Sequence, residues 1–167
     1  MSRFKNKVCL ITGAGSGIGA ATAMAFASEG GKIVAADINE MASQEIADKI
    51  NASGGEAIPL YVNIADKASV QNMIIVAVQK FGRLDCAVNC AGIAGKLTAA
   101  LHEYPEDDWA NMIQVNLFGT YYCLKEEVMQ MLKVGGGAIV NVASAAGLVA
   151  QPGNSPYATS KFAVVGL

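Results

Sequence analysis

Short runs of apolar residues alternate with helical segments along the whole chain, and this alternation constrains the fold more than any other feature. We predict strands over 8–12, 32–37, 57–62, 84–89 and 138–143, helices over 18–28, 40–52, 67–81 and 107–133, and a last helix that opens at Pro156. Each strand is a largely apolar run, which is typical of parallel strands covered on both faces. Right-handed crossovers then predict an α/β fold, a doubly wound parallel sheet with helices on both faces.

A glycine-rich turn, Thr12-Gly13-Ala14-Gly15-Ser16-Gly17-Ile18-Gly19, joins the first strand to the first helix. Backbone amides and the helix dipole can hold a pyrophosphate there, and glycines let the backbone approach the ligand. Asp37 ends the second strand about 20 residues later, where a carboxylate can bind a ribose diol. Because a carboxylate repels a 2′-phosphate and position 16 is Ser rather than Arg or Lys, we expect NAD in preference to NADP. A structural turn and a strand-end cap are the simpler alternatives.

Polar and small residues follow two other strands at the carboxyl edge, where ligands of such sheets bind. We expect Asn63 to bond the adenine edge and Ile64 to pack on its face. Ala91 and Gly92 should let the cofactor pass close to the backbone. Asn89 is expected both to support its strand and to line the cofactor.

Tyr157 and Lys161 are four positions apart on the last predicted helix, so the phenol and the ammonium project from the same side of one turn. Pro156 suits the first helical position and Ser155 can cap it, which puts Tyr157 where the helix dipole favours a phenolate. At roughly 5 Å and an effective dielectric of about 20, the ammonium stabilises that phenolate by on the order of 3 kcal/mol. The pair therefore predicts a general acid/base. A surface lysine beside a half-buried tyrosine is the alternative.

Charge and composition exclude several classes of function. The net charge is −2, with no long basic cluster, so nucleic acid is not an expected partner. His102 is the only histidine, so neither a histidine-based zinc site nor a Ser-His-Asp triad can form, and we predict no metal. No segment has 18 uninterrupted apolar residues, which argues against a membrane span. Four cysteines beside apolar runs favour a reducing, cytoplasmic location: Cys9, Cys86, Cys90 and Cys123.

No linker or low-complexity tract divides the 167 residues, so we predict a single NAD-binding domain over 1–167. Leu167 falls inside the last predicted helix, without a glycine, cap or polar tail to end it. We therefore expect the sequence to be C-terminally incomplete, with further strands of the sheet outside it.

The glycine turn, Asn89-x-Ala91-Gly92, Asn116, Ser144 and Tyr157-x-x-x-Lys161 occur in this order, and with them the chain resembles the short-chain dehydrogenase/reductase family of the classical type. The resemblance covers essentially the whole sequence. It implies a Rossmann fold and an NAD-dependent oxidoreductase that interconverts a secondary alcohol and a ketone, assembled as a homodimer or homotetramer. Two departures are Asn63, where the family commonly has Asp, and Cys90, where it often has Asn.

The resemblance also implies roles for four residues. Tyr157 exchanges a proton with the substrate oxygen, and Lys161 stabilises its phenolate and bonds the nicotinamide ribose. Ser144 holds the substrate oxygen as a hydrogen-bond donor, because no histidine can activate it as a nucleophile. Asn116 anchors a water relay beneath the lysine, with a solvent-facing Asn as the alternative. Segments 95–101 and 148–154 are expected to border a largely apolar pocket for a small uncharged alcohol or ketone.

Two other classes of protein stay open. A dinucleotide-binding sensor or scaffold would keep the fold without useful turnover, although the intact Ser144, Tyr157 and Lys161 argue against it. A nucleotide-dependent methyltransferase would also place a glycine turn after the first strand and an acid after the second. It would have no use for the Tyr/Lys pair.

Overall fold

The computed structural model describes residues 2–95, 99–149 and 151–167. Its centre is a five-stranded sheet in the order β3-β2-β1-β4-β5, with every pair of neighbouring strands parallel. The strands are β1 Val8–Thr12, β2 Lys32–Asp37, β3 Glu56–Tyr61, β4 Cys86–Asn89 and β5 Ala138–Asn141. The predicted doubly wound α/β fold is therefore confirmed.

Helices follow the strands and cover both faces of the sheet. They are α1 Gly17–Ser28, α2 Glu40–Ala52, α3 Lys67–Phe81, α4 Glu106–Ile113, α5 Thr120–Leu132 and α6 Ser155–Gly166. Short 3₁₀ turns occupy Leu101–Glu103 and Ala145–Gly147. None of the helices in the described ranges has the length and apolar character needed to cross a bilayer.

Two hydrophobic cores lie on opposite sides of the sheet, because successive side chains of a strand point to opposite faces. On β1, Val8 and Leu10 are buried in one core with residues of α3 and α5. Cys9 and Ile11 are buried in the other core with residues of α1 and α2. This is why β1 is largely apolar rather than alternating between apolar and polar residues.

The strand order determines where a crevice opens along the sheet. From β1 the chain proceeds through β2 to β3, then returns through α3 to place β4 on the other side of β1. Connections therefore diverge between β1 and β4, and that divergence opens a crevice at the carboxyl edge. Gly13, with φ of +67°, lies so close to the β4 exit that a Cβ there would be 2.8 Å from the amide nitrogen of Ala91.

The helix predicted over 107–133 is interrupted. A π-helical segment, Gln114–Gly119, separates α4 from α5, and Thr120 Oγ1 donates to the carbonyl oxygen of Asn116 at 2.7 Å. Gly119 packs closely on Ile64, since a Cβ at position 119 would lie 2.8 Å from Ile64 Cδ1. A π-helical segment accommodates one extra residue, which a periodic pattern does not reveal.

Some predicted boundaries were wrong. Asn154, not Ser155, is the N-cap of α6, because the helix begins one residue earlier than expected. The Asn154 side chain makes no capping bond and instead donates through Nδ2 to the carbonyl oxygen of Ala94 at 2.8 Å. Strand β3 is shifted by one residue from 57–62 to 56–61, β4 begins at 86 rather than 84, and β5 ends at 141 rather than 143.

Candidate functional site

A cleft of about 390 Å³ lies at the carboxyl edge of the sheet, between the glycine turn and the ends of β2, β3 and β4. It is lined by most of the residues predicted to bind the cofactor, namely Gly13, Ser16, Gly17, Ile18, Gly19, Asp37, Asn63, Ile64, Ala91 and Gly92. Asn89, Tyr157 and Lys161 are not among the residues that line it. Asn89 lies beneath the cleft instead, with 4% of its surface exposed.

The glycine turn fits a dinucleotide. Ser16 caps α1 with its backbone extended and its side chain unbonded to the helix, so backbone N–H groups of the first turn face the cleft without a competing side chain. Ser16, Gly17 and Ile18 are exposed there. Gly13 leaves no room for a Cβ against Ala91, which brings the backbone close to any ligand above it. Pyrophosphate is the ligand that such an arrangement favours.

Asp37 is held in place before any ligand arrives. Its Oδ2 accepts from the backbone N–H of Gly15 at 2.8 Å, and its Oδ1 accepts from that of Asn39 at 2.9 Å. Within the described ranges no Lys or Arg forms an ion pair with this carboxylate. The cleft therefore carries a fixed carboxylate, without an ion-pair partner in the described ranges, where a ribose diol is expected.

Asn63 and Ile64 contribute unequally to the cleft. The Asn63 Oδ1 accepts from the N–H of Ala65 at 3.1 Å, which fixes the side chain as a turn residue. Ile64 has only 6% of its surface exposed because it packs against Gly119 and the core. Most of the Ile64 side chain therefore supports the cleft from below.

Lys161 is buried next to Tyr157. Its Nζ donates to the carbonyl oxygen of Val142 at 2.9 Å and lies 5.7 Å from the centroid of the Tyr157 ring. Burial lowers the pKa of Lys161, and the neighbouring Cys90 thiol acts in the opposite direction. No carboxylate lies within ion-pair distance of this ammonium in the part of the chain that the structure describes. Burying a cation with a neutral partner lowers the stability of the fold. Buried charges of this kind are typical of functional sites.

Ser144 comes to the same helix from β5. It caps the 3₁₀ turn Ala145–Gly147, and its Oγ accepts from the N–H of Ala146 at 3.2 Å. That turn packs tightly on α6, since a Cβ at Gly147 would lie 2.6 Å from the carbonyl oxygen of Lys161. The turn that begins at Ser144 is thus placed against the helix that carries Tyr157 and Lys161.

Asn116 is fully buried, so the alternative of a solvent-facing Asn is wrong. Its Oδ1 accepts from the N–H of Ile93 at 2.8 Å, while its Nδ2 donates to the carbonyl oxygen of Ile93 at 2.9 Å and to Ser160 Oγ at 3.1 Å. Ser160 Oγ in turn donates to the carbonyl oxygen of Tyr157 at 2.7 Å. The amide therefore ties the loop after β4 to the first turn of α6.

The segments expected to border a substrate pocket are described only in part, because residues 96–98 and 150 lie outside the described residues. The N–H of Ala99 in the first segment donates to the carbonyl oxygen of Gly153 in the second at 3.1 Å. Asn154 Nδ2 donates to the carbonyl oxygen of Ala94, one residue before the first segment. Residues 99 and 153 of the two segments therefore lie next to each other.

Comparison with known proteins decides the family. A family model described as short chain dehydrogenase matches residues 7–167. The chain belongs to the short-chain dehydrogenase family. The family that the order of motifs indicated is therefore confirmed.

Curated relatives in this family include two alcohol dehydrogenases. The chain is 43% identical over 166 residues to cyclohexanol dehydrogenase of Acinetobacter sp. (strain SE19), covering 99% of this chain and 66% of that protein. It is 41% identical over 165 residues to D-threitol dehydrogenase of Mycolicibacterium smegmatis, covering 99% of this chain and 63% of that protein. The chain thus spans less than two thirds of the length of these relatives.

Solved structures of the family superpose closely. An NAD⁺-bound xylitol dehydrogenase matches with a TM-score of 0.94 and 36% identity, over 98% of this chain and 63% of that one. A short chain dehydrogenase/reductase from Burkholderia phymatum in complex with NAD matches with a TM-score of 0.93 and 36% identity, over 99% of this chain and 59% of that one. Both likenesses confirm the predicted fold.

Glu127 is completely buried, although it follows Lys125 and Glu126 in a segment that looks solvated and was not predicted to lie inside the fold. The signal that could have found it is spacing. Glu127 lies four residues after buried Cys123 and four before buried Met131, so it belongs to the inward stripe of α5.

Replacing Glu127 by Gln is expected to stabilise the fold at alkaline pH. Burial raises the pKa of Glu127 to about 7, against the bond from Asn89, whereas an unfolded carboxyl titrates near 4.3. The folded state therefore favours the protonated acid, and stability falls as pH rises from about 4.5 through 7, by about 4 kcal/mol in total. Urea unfolding should show the variant more stable than the wild type at pH 8 and nearly equal to it at pH 4.5. An equal difference at both pH values would contradict the buried acid, and Glu126→Gln is the control.

Proposed function

We propose that this family member is an NAD-dependent oxidoreductase that interconverts a secondary alcohol and a ketone by hydride transfer. The observation that carries the proposal is the buried ammonium of Lys161, which lies 5.7 Å from the Tyr157 ring and has no carboxylate partner among the described residues. A cation in that position stabilises a phenolate and would serve little purpose in a methyltransferase. The dehydrogenase names of the relatives agree with this chemistry.

Four residues share the work in this proposal. Tyr157 is the general acid/base, Lys161 favours its phenolate, and Ser144 donates a hydrogen bond to the substrate oxygen. Asn116 keeps these groups in register, because its amide ties Ile93 to Ser160 and through Ser160 to the Tyr157 backbone. The water relay expected at Asn116 stays a prediction.

The proton and the hydride leave the alcohol separately. When NAD is bound, it supplies the acceptor for the hydride of the carbinol carbon. Tyr157 takes the hydroxyl proton, so that the C–H and O–H bonds break while the C=O bond forms. In the reverse direction Tyr157 returns the proton to the carbonyl oxygen. Ser144 bonds that oxygen in both directions and stabilises the charge that develops on it.

Cofactor binding is assigned to the cleft residues already predicted. The first turn of α1 would hold the pyrophosphate, Asp37 the adenosine ribose, and Asn63 with Ile64 the adenine. Ala91 and Gly92 would leave the backbone close to the cofactor. Asn89 would act from beneath, and Lys161 would bond the nicotinamide ribose.

Asp37→Ala tests the expected preference for NAD. The carboxylate is fixed by two backbone amides and has no Lys or Arg partner among the residues that the structure describes. Its removal therefore eliminates both the bonds to the ribose diol and the repulsion of a 2′-phosphate. We expect the Kd for NADH to rise by about tenfold and the Kd for NADPH to fall or stay constant, as measured by nicotinamide fluorescence. The preference is contradicted if the wild type binds NADPH as tightly as NADH.

We propose that the substrate is a small uncharged alcohol or ketone. We also propose that the protein is cytoplasmic. Support comes from the apolar segments near the site and from relatives named for cyclohexanol and D-threitol. A homodimer or homotetramer is proposed because α5 and α6 expose large apolar side chains, including Tyr121, Met129, Leu132, Phe162 and Val165. Light scattering of the purified protein would measure the assembly.

The experiment that tests the function mixes purified protein with NAD and a panel of secondary alcohols and follows the absorbance of reduced nicotinamide. Turnover of any panel member is the expected result. Cofactor binding without turnover in the panel would favour the sensor or scaffold. No binding of NAD at all would reject the proposal.

A further inference from the structure

Glu127 is a fully buried carboxyl to which the proposed function gives no role. Its Oε2 accepts from Asn89 Nδ2 at 3.0 Å, and its Oε1 has no hydrogen-bond partner among the described residues. Burying a carboxyl lowers the stability of the fold, and a single hydrogen bond does not offset that loss. Stability therefore does not account for a carboxyl at this position.

Asn89 connects this carboxyl to three strands at the point where the connections diverge. It is the last residue of β4 and stands in register with Thr12 of β1 and Asn141 of β5. Its Nδ2 also donates to Asn141 Oδ1 at 3.0 Å, and its Oδ1 accepts from Thr12 Oγ1 at 3.5 Å. Both polar atoms of the Asn89 side-chain amide are thus hydrogen-bonded, and Glu127 is the acceptor among these partners that can carry a charge.

The segment directly after Asn89 forms a wall of the cleft. The N–H of Cys90 donates to the carbonyl oxygen of Thr12 at 3.3 Å, and the N–H of Ala91 donates to Thr12 Oγ1 at 3.4 Å. Cys90, Ala91 and Gly92 line the cleft, and Ala91 is pressed against the Gly13 backbone. A rotation of the Asn89 amide would therefore shift both the Thr12 hydroxyl and this wall.

We propose that Glu127 is a positioning residue for the dinucleotide, whose carboxylate fixes the Asn89 amide and so holds the wall formed by residues 90–92 in the shape that binds the cofactor. It acts through Asn89 and touches neither cofactor nor substrate. A charged acceptor holds an amide more firmly than a neutral one, which accounts for an acid where Gln would cost less to bury. The inference rests on the proposed function, because it assumes that the cleft takes a dinucleotide.

The test separates cofactor affinity from stability. For Glu127→Gln at pH 8, the Kd for NADH is measured by fluorescence titration and the unfolding midpoint by urea. We expect the Kd to rise about five- to tenfold, since a charge-assisted bond becomes a neutral one, while the midpoint does not fall. Glu126→Gln is the matched control. Glu126 is the preceding residue of α5 and accepts a hydrogen bond from Gln71 rather than from Asn89. The Kd of Glu126→Gln for NADH should therefore stay within about twofold of the wild-type value.

The possible outcomes are distinct. A rise in Kd without loss of stability supports the positioning role. An unchanged Kd, or a loss of affinity and stability in parallel, would overturn it. Glu127→Met, which removes the acceptor without adding an unpaired donor, gives the same comparison should the Gln variant not fold. If the wild type itself does not bind NADH, the proposed function fails rather than this inference alone.

Discussion

Tyr157→Phe is expected to lower kcat by about 10²–10⁴-fold, the usual contribution of a positioned general acid/base. The reason is the missing phenolic oxygen, since the Phe ring can still pack 5.7 Å from the Lys161 ammonium. This corresponds to about 3–5 kcal/mol of transition-state stabilisation. The Kd for NADH and the unfolding midpoint should change little. Steady-state kinetics on a turned-over alcohol and a fluorescence titration of NADH check the two halves of this prediction.

Tyr121→Phe is the matched control for that substitution. Tyr121 is an exposed tyrosine of α5 whose ring contacts Tyr122 rather than the cleft. The kcat of Tyr121→Phe should equal that of the wild type within about twofold. Equal losses in the two variants, or full activity of Tyr157→Phe, would remove Tyr157 from the proton transfer.

Gly19→Ala is expected to abolish measurable NAD binding and to destabilise the fold. A Cβ at position 19 would stand 2.1 Å from the carbonyl oxygen of Gly13 and 2.7 Å from its carbonyl carbon. Both atoms are backbone, so the overlap can be relieved only by moving the glycine turn that faces the cleft. We expect the Kd for NADH to rise by about 100-fold or more and the free energy of unfolding to fall by about 1–3 kcal/mol.

Gly166→Ala is the control for added volume, because a Cβ at position 166 meets no described atom within 4 Å apart from the neighbouring backbone of its own helix. Urea unfolding and NADH titration of both variants measure the difference. The close packing of the turn is contradicted if Gly19→Ala binds NADH as the wild type does.

The central strands could be predicted from the sequence because β1, β2 and most of β4 are buried on both faces. Val8, Cys9, Leu10 and Ile11 all point into one core or the other, so β1 is apolar without alternation, and the glycine turn directly follows it. The crevice followed from the same pattern, since the order of strands and helices leaves few topologies. These inferences needed only local composition and connection rules.

Features that depend on tertiary contacts could not be predicted. The π-helical segment reflects how Asn116 reaches Ile93 and how Gly119 packs on Ile64, and neither contact leaves a periodic signal. Ser155 looked like the cap of α6, yet Asn154 occupies that position and uses its side chain on Ala94. Glu127 looked like a solvated residue because a charged neighbour precedes it.

The Tyr157/Lys161 pair shows both what sequence predicted and what it did not. Spacing alone placed Tyr157 and Lys161 on one face of a helix, where the structure has them. The carbonyl of Val142, which holds the ammonium at 2.9 Å, belongs to a different element, and no sequence pattern connects it to Lys161. Sequence therefore predicted which groups meet but not what fixes them.

The central claim is that a dinucleotide bound in the cleft presents its nicotinamide to Tyr157, Lys161 and Ser144. The most direct measurement is a crystal structure of the NAD complex. We predict the pyrophosphate on the first turn of α1, the adenosine ribose on Asp37, and the Tyr157 hydroxyl directed at the space beside the nicotinamide ring. A complex in which the ring lies away from α6, or in which the Tyr157 hydroxyl points out of the crevice, would contradict the redox assignment.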